Sequence, residues 1–274
     1  MKKVLIWVLA VLFTLSAAVY QRLTGPTTPL RINTEIVGES VKLKLTRSAS
    51  VGDGCTVTVP HHRCIAGADL VFRKFPGSFE YDTVKMSSKG EFYAARLPVQ
   101  PPAGKLEYYV VLYSKTGSVV FQNNENTAVA RFKGDVPGGI LVPHIIFMFF
   151  AMLLSSVAAF MAIFRTGNFR LVSFVAFGSL VLGGLVFGPM VQYYAFGEAW
   201  TGWPVGGDLT DNKTLVAALF WLAAVLMNRK EPRRWPIVVA AVVLFAIFSI
   251  PHSAWGSELD HESGQIETGK SVSE

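Results

Sequence analysis

Between Phe196 and Lys213 the chain reads Phe-Gly-Glu-Ala-Trp-Thr-Gly-Trp-Pro-Val-Gly-Gly-Asp-Leu-Thr-Asp-Asn-Lys. Trp200, Trp203, Asp208, Asp211, Asn212 and Lys213 fall in this one polar, glycine-rich loop, and a long apolar run flanks it on either side. Carboxylates beside an ammonium and an amide can bind a cation, or lock helices together by paired hydrogen bonds. His144, early in a preceding apolar run, and His252, just after the last one, are the histidines that can join them, with Glu258 and Asp260 following. Two such histidines on different helices could ligate a b-type haem axially. Combined with Asp208, Asp211, Glu258 or Asp260 they could hold a metal ion. Each could also be a half-wet interfacial histidine bonded to backbone. No His-x-x-x-His spacing selects among these readings. Asp-Leu-Thr-Asp ahead of a helix is also the pattern of an amino-terminal cap, with Asp211 or Thr210 as the residue that caps a helix including Lys213. Trp200 and Trp203 suit the membrane interface, and Lys213 can snorkel outward. No phosphate loop, nucleophile elbow or zinc-protease helix occurs, which lowers the expectation of a hydrolase or kinase.

The elements that must position these residues are apolar helices. The chain has 274 residues, 51% of them hydrophobic, a share that points to membrane spans. The net charge of +6 does not call for nucleic acid, because the basic residues cluster beside the apolar runs, as cytoplasmic loops do. Five runs stand out: Val4 to Val19, Ile140 to Phe164, Leu171 to Phe196, Thr214 to Met227 and Trp235 to Ile250. The first, after Lys2 and Lys3, fits a transmembrane anchor or a cleaved signal covering residues 1–23, with Ser16-Ala-Ala as a cleavage site. Gly178, Gly183, Gly184 and Gly188 allow close helix contact in the third, and such glycine-rich spans would leave room for a flat cofactor. The last four runs form a four-helix transmembrane domain over residues 138–256, and a polar tail, 257–274, disordered from about Ser263, follows.

Residues 24–135 differ. Val41-Lys-Leu-Lys-Leu-Thr alternates apolar and polar, the period of a half-buried strand. Thr56-Val-Thr-Val, Asp69-Leu-Val-Phe-Arg, Glu91 to Leu97, Leu106 to Tyr113 and Thr127 to Phe132 read likewise, with glycine- and proline-rich turns between them. The stretch Gly90-Glu-Phe-Tyr-Ala-Ala-Arg-Leu-Pro-Val-Gln-Pro-Pro-Ala-Gly-Lys-Leu-Glu-Tyr-Tyr-Val resembles the last strands of bacterial exported immunoglobulin-like or fibronectin-type modules. That resemblance covers about 27–133 and implies an all-β sandwich; it implies no activity, because such sandwiches host many roles. The carboxy-terminal half, through Trp200-Thr-Gly-Trp-Pro, Asp208-Leu-Thr-Asp-Asn-Lys213, Ile250-Pro-His-Ser and Gly256-Ser-Glu-Leu-Asp260, resembles uncharacterised bacterial four-helix membrane proteins, which implies an architecture alone. The fold class expected is therefore mixed: an anchor, a β-sandwich and a four-span helical bundle.

Cys55 and Cys64 flank Thr-Val-Thr-Val-Pro-His-His-Arg. Export favours oxidation, so a local disulfide is the expected state. A copper or zinc site through His61, His62 and Cys64 is the alternative, and two inert thiols a third.

Lys2, Lys3, Arg165, Arg170, Arg229, Lys230, Arg233 and Arg234 fall in three segments that the positive-inside rule places in the cytoplasm. The β domain, the Phe196 to Lys213 loop and the tail then lie on the periplasmic side of a bacterial inner membrane. The spans carry almost no ionisable residue at mid-depth, which disfavours ion-driven transport. Two functions lead as expectations, with a membrane enzyme using the outer carboxylates as a third. One is a non-enzymatic accessory or interaction subunit, whose partners are the bilayer and other membrane or periplasmic proteins. The other is an electron-transfer protein with haem b or a metal ion at His144 and His252.

Overall fold

The structure is a computed structural model that describes residues 2–251 and 258–267. It divides into a β unit, residues 27–135 with 258–267, and a helical unit, residues 2–26 with 136–251.

In the β unit, β1 (Leu30–Ile36) and β2 (Glu39–Leu45) form an antiparallel hairpin. Val37 and Gly38 turn it, both at positive φ, 52° and 76°, the combination that a tight two-residue hairpin turn requires. Further strands are β3 (Ser48–Ser50), β4 (Cys55–Pro60), β5 (Gly67–Phe75), β6 (Asp82–Lys85), β7 (Ser87–Lys89), β8 (Phe92–Leu97), β9 (Lys105–Tyr113), β10 (Val119–Gln122) and β11 (Ala128–Lys133). One sheet runs β3-β11-β9-β5-β6, with β10 also on β9; another runs β4-β8-β7. Each stretch with alternating polarity is a strand, and the alternation is physical. Val41, Leu43 and Leu45 of β2 and Cys55, Val57 and Val59 of β4 point inward, and their neighbours point out. Together with Leu70, Leu106, Tyr108, Leu112 and Phe132 they form one core shared by the sheets. The Tyr108 hydroxyl, buried in that core, donates to the Thr46 carbonyl at 2.7 Å, so it is not stranded there.

Part of the tail expected to be disordered is built into this unit. β12 (Glu258–Leu259) pairs with β13 (Ile266–Glu267). Glu258 forms a 2.9 Å ion pair with Lys105, and the Leu259 amide donates to the Ala103 carbonyl at 3.3 Å. Burial, offset in part by Glu258, draws the Lys105 ammonium below the usual lysine range. A buried leucine and a buried ion pair hold residues that composition alone assigns to solvent.

The helical unit contains α1 (Lys2–Thr24), α2 (Gly138–Ile163), α3 (Phe169–Leu180), a π-helical turn (Val181–Phe187), α4 (Gly188–Phe196), α5 (Leu209–Met227) and α6 (Arg234–Phe248). Among the described residues, Lys2–Thr24, Gly138–Ile163, Phe169–Phe196 and Leu209–Met227 are long and apolar enough to cross a membrane; Arg234–Phe248 is shorter. Small side chains let them approach: Ala151, Ser155, Ala158 and Ala162 of α2 are buried with Ala217 and Ala224 of α5 and Ala240 of α6. Buried serines satisfy themselves on their own helix, Ser156 on Met152 O at 2.9 Å and Ser173 on Phe169 O at 2.6 Å.

The ends of this unit differ in character. At one end Gln21 of α1 donates to Phe248 O at 2.9 Å, and Lys213 of α5 donates to Ile250 O at 2.8 Å. At the other, Arg170 donates to Arg229 O at 2.8 Å, which draws two of the basic segments together.

Candidate functional site

The polar loop is built onto the start of α5. Gly197, at φ 88°, ends α4 in the left-handed conformation that terminates helices, and its amide returns to Tyr193 O at 2.8 Å. Asp208 begins α5. Its Oδ1 accepts from the amides of Thr210 at 2.7 Å and Asp211 at 3.3 Å, two of the amide donors that a helix start leaves without helical partners. The cap is therefore Asp208 and not Asp211, and it extends the helix back to Leu209, which takes Lys213 inside it.

Asp211 is thereby released for another task. Its Oδ2 accepts from the Thr201 amide at 2.7 Å, the Thr201 hydroxyl at 3.3 Å and Gln192 Nε2 at 3.0 Å. Gln192 closes the triangle with 2.6 Å to Thr201 Oγ1. Asn212 Oδ1 accepts from the Trp203 amide at 2.6 Å, and Thr201 O accepts from the Asp208 amide at 2.9 Å. Trp200 Nε1 donates to Trp203 O at 3.2 Å, while the Trp203 ring is largely exposed. Gly202 lies against the helix so closely that a Cβ there would stand 2.6 Å from Asp211 Cβ. Asp208, Asp211 and Lys213 are all buried. The arrangement is a clamp: the carboxylate, the amide and the cap each hold backbone of the loop against α5.

His144 has a different partner. Its Nδ1 donates to the Gly183 carbonyl at 2.9 Å, and Gly183 O also accepts from the Gly188 amide within the π turn. Of the glycines expected to make room for a flat cofactor, Gly183 and Gly184 lie against protein, while a Cβ on Gly178 would meet nothing within 4 Å. A Cβ on Gly183 would meet Met148 N at 3.0 Å, and one on Gly184 would meet Thr214 Cγ2 at 2.7 Å. Lys213 goes to Ile250 O, and the Asp208 carboxylate lies close enough to act on it electrostatically. His252 falls outside the described residues. Glu258 and Asp260 have their partners in the β unit; Asp260 Oδ1 accepts from the Glu262 amide at 2.8 Å. The structure thus brings Asp208, Asp211, Asn212, Trp200 and Trp203 into one network and gives His144 and Lys213 separate contacts. Gln192 and Thr201, which no sequence motif singles out, are central to that network. A lone glutamine near the end of an apolar run was the available signal.

No protein-family model, curated protein or solved structure matches this chain. Its reading rests on its own residues.

The expected bridge between Cys55 and Cys64 is absent; both are free thiols. Cys55 is in phase with Val57 and Val59 and points into the core, where burial pushes its thiol up to about 11. Cys64 lies on the loop after β4 with its Sγ 3.1 Å from His62 Nδ1. In folded protein at mildly alkaline pH, a maleimide is expected to modify Cys64 and leave Cys55 untouched until denaturant is added. Two fast thiols, or none, counted by intact mass would refute this.

Proposed function

We propose that this chain is an integral protein of a bacterial inner membrane that presents an exported immunoglobulin-like β module and serves as a non-enzymatic accessory subunit of a membrane complex. One observation carries the reading. The polar groups that could have performed chemistry beside the helices are engaged with backbone: Asp211 on Thr201, Asn212 on Trp203, Asp208 on the first turn of α5 and Lys213 on Ile250. Groups so engaged rigidify a platform; a general base or a ligand set would keep an accessible lone pair for its substrate.

Other features support the same reading. Consecutive strands β4 and β5, and again β8 and β9, lie in different sheets over one core, as in sandwich modules. Ile6 and Ala10 of α1 are buried in the helical core and Gln21 is tied to α6, which favours a retained anchor over a cleaved signal. The end where Arg170 meets Arg229 is the cytoplasmic one under the positive-inside rule, and the clamp is periplasmic. The electron-transfer alternative rests on His144 and His252. Its only support is that Nδ1–H on Gly183 O leaves Nε2 of His144 with its lone pair.

The threading is tested by single cysteines in a Cys55→Ser, Cys64→Ser background. Cysteines near Arg165 and Arg233 are expected to resist a membrane-impermeant maleimide in intact cells, and those at Gly206 and Gly264 to react. Labelling of position 206 only after membrane disruption would overturn the orientation. Protein extracted in mild detergent is expected to migrate with a stoichiometric membrane or periplasmic partner and to lack a reducible Soret band. A lone chain carrying such a band would replace the accessory reading with the haem one.

A further inference from the structure

The loop after β4 carries chemistry that the accessory reading does not use. The β1–β2 hairpin brings Glu39, the first residue of β2, beside His62 and Cys64. Glu39 Oε2 lies 2.9 Å from His62 Nδ1, and His62 Nδ1 lies 3.1 Å from Cys64 Sγ. Three donor atoms, one each of oxygen, nitrogen and sulfur, fall within 4.8 Å of one another. The loop that presents them is tied down at both ends: the His61 amide donates to Glu91 O at 2.8 Å, and the Ala66 amide donates to Tyr113 O at 2.8 Å. Nδ1 carries at most one proton, so it cannot donate to the carboxylate and to the sulfur at once. Hydrogen bonding therefore leaves the trio incompletely satisfied, and a cation at its centre would satisfy all three.

We propose that Glu39, His62 and Cys64 form a binding site for a borderline divalent metal ion of the zinc class. The donor set decides the class. A thiolate and an imidazole disfavour calcium and magnesium, which take oxygen, and suit zinc or its cobalt surrogate. Tetrahedral coordination at typical bond lengths sets donor atoms about 3.5 Å apart, a few tenths of an ångström wider than the two short separations here. The half-exposed Glu39 side chain can supply that adjustment for the oxygen, and a small rotation of the partly exposed His62 side chain for the nitrogen and sulfur. Binding displaces the thiol proton of Cys64 and requires the His62 proton on Nε2, so protons leave to solvent as the ion enters. Three protein ligands leave the fourth position to water or to a donor from a partner. His61 is not a ligand: its Nε2 is 3.2 Å from Ser88 Oγ and its ring lies 4.3 Å from that of Tyr93. Cys55 is not one either, because it points into the core.

The test uses the full-length protein in detergent, freed of metal and reduced, titrated with Co²⁺ and then with Zn²⁺. A thiolate-to-cobalt charge-transfer band is expected to saturate at one equivalent and to vanish on addition of Zn²⁺. The band is expected to disappear in Cys64→Ser and His62→Gln, to weaken at least tenfold in affinity in Glu39→Gln, and to persist in His61→Ala and His252→Ala. Zn²⁺ is also expected to shield Cys64 from maleimide. Continued protection of Cys55 in each variant shows that the β unit remains folded. Absence of the band in the unaltered protein, or a band unchanged in folded Cys64→Ser, overturns the site. Either result leaves the accessory reading standing, since its tests concern the threading and the partner.

Discussion

Replacing Asp211 by alanine is expected to destabilise the helical unit by about 3 kcal/mol, because hydrogen bonds to a charged group contribute roughly 1.5–3 kcal/mol each and do not add fully. The substitution removes the acceptor of the Thr201 amide, the Thr201 hydroxyl and Gln192 at one stroke. It leaves a buried backbone donor behind. Asp211→Asn is expected to cost less: its amide oxygen can take the place of Oδ2 and still accept from Thr201 and Gln192, with only the charge lost. Gly202→Ala attacks the same clamp from the loop side, since its Cβ would stand 2.6 Å from Asp211 Cβ. Overpacking of this kind costs about 1–3 kcal/mol. The two changes break one contact surface, so the double variant is expected to lose less than the sum. Unfolding in detergent measures the losses, and chymotrypsin cleavage after Trp200 reports release of the loop. Full stability and an uncut loop in Asp211→Ala would show that the clamp does not hold the loop. Retained binding of the proposed partner in a stable but released variant would separate the clamp from the proposed accessory role.

Phe132→Ala is expected to weaken the β unit by about 3–4 kcal/mol, the cost of emptying a fully buried aromatic site. Phe132 is fully buried in β11, and its amide and carbonyl tie to Gly104 and Ala103 at 2.9 and 3.0 Å. Cys55 supplies the readout, since its thiol can react only when the core opens. At about 1.4 kcal/mol per factor of ten, the modification rate of Cys55 should rise roughly a hundred- to a thousand-fold while that of Cys64 stays constant. An unchanged Cys55 rate would mean that the thiol is reached by a local opening that does not involve this core.

The elements that sequence revealed are those whose side chains face two environments. β2 and β4 alternate because one face is core and the other water, and the helices announced themselves by length and apolarity. β6 and β7 were silent because every residue in them is exposed, so no period is imposed. Within the site, the presence of Asp208 and Asp211 at a helix start was legible, but their division of labour was not. Either aspartate fits a cap on spacing alone, and the choice depends on a backbone amide at Thr201, which no side-chain pattern records. The inward phase of Cys55 was readable from Val57 and Val59, and it argues against a bridge to a loop residue. The approach of Glu39 to His62 was not readable, because a hairpin turn at Val37 and Gly38 sets it.

The π turn at Val181–Phe187 acts as a phase shifter within the span Phe169–Phe196. A π turn inserts about one residue into a helix, and one residue is about 100° of rotation. The faces of α3 and α4 are therefore set independently: α3 buries Ser173 and Ala176, while α4 is turned so that Gln192 meets Thr201 and Asp211. Loss of a single residue there would restore plain α-helix, keep every apolar side chain in the membrane, and carry Gln192 off the clamp by about a quarter turn. Hydropathy would register no change, yet the loop between Phe196 and Lys213 would lose its anchor.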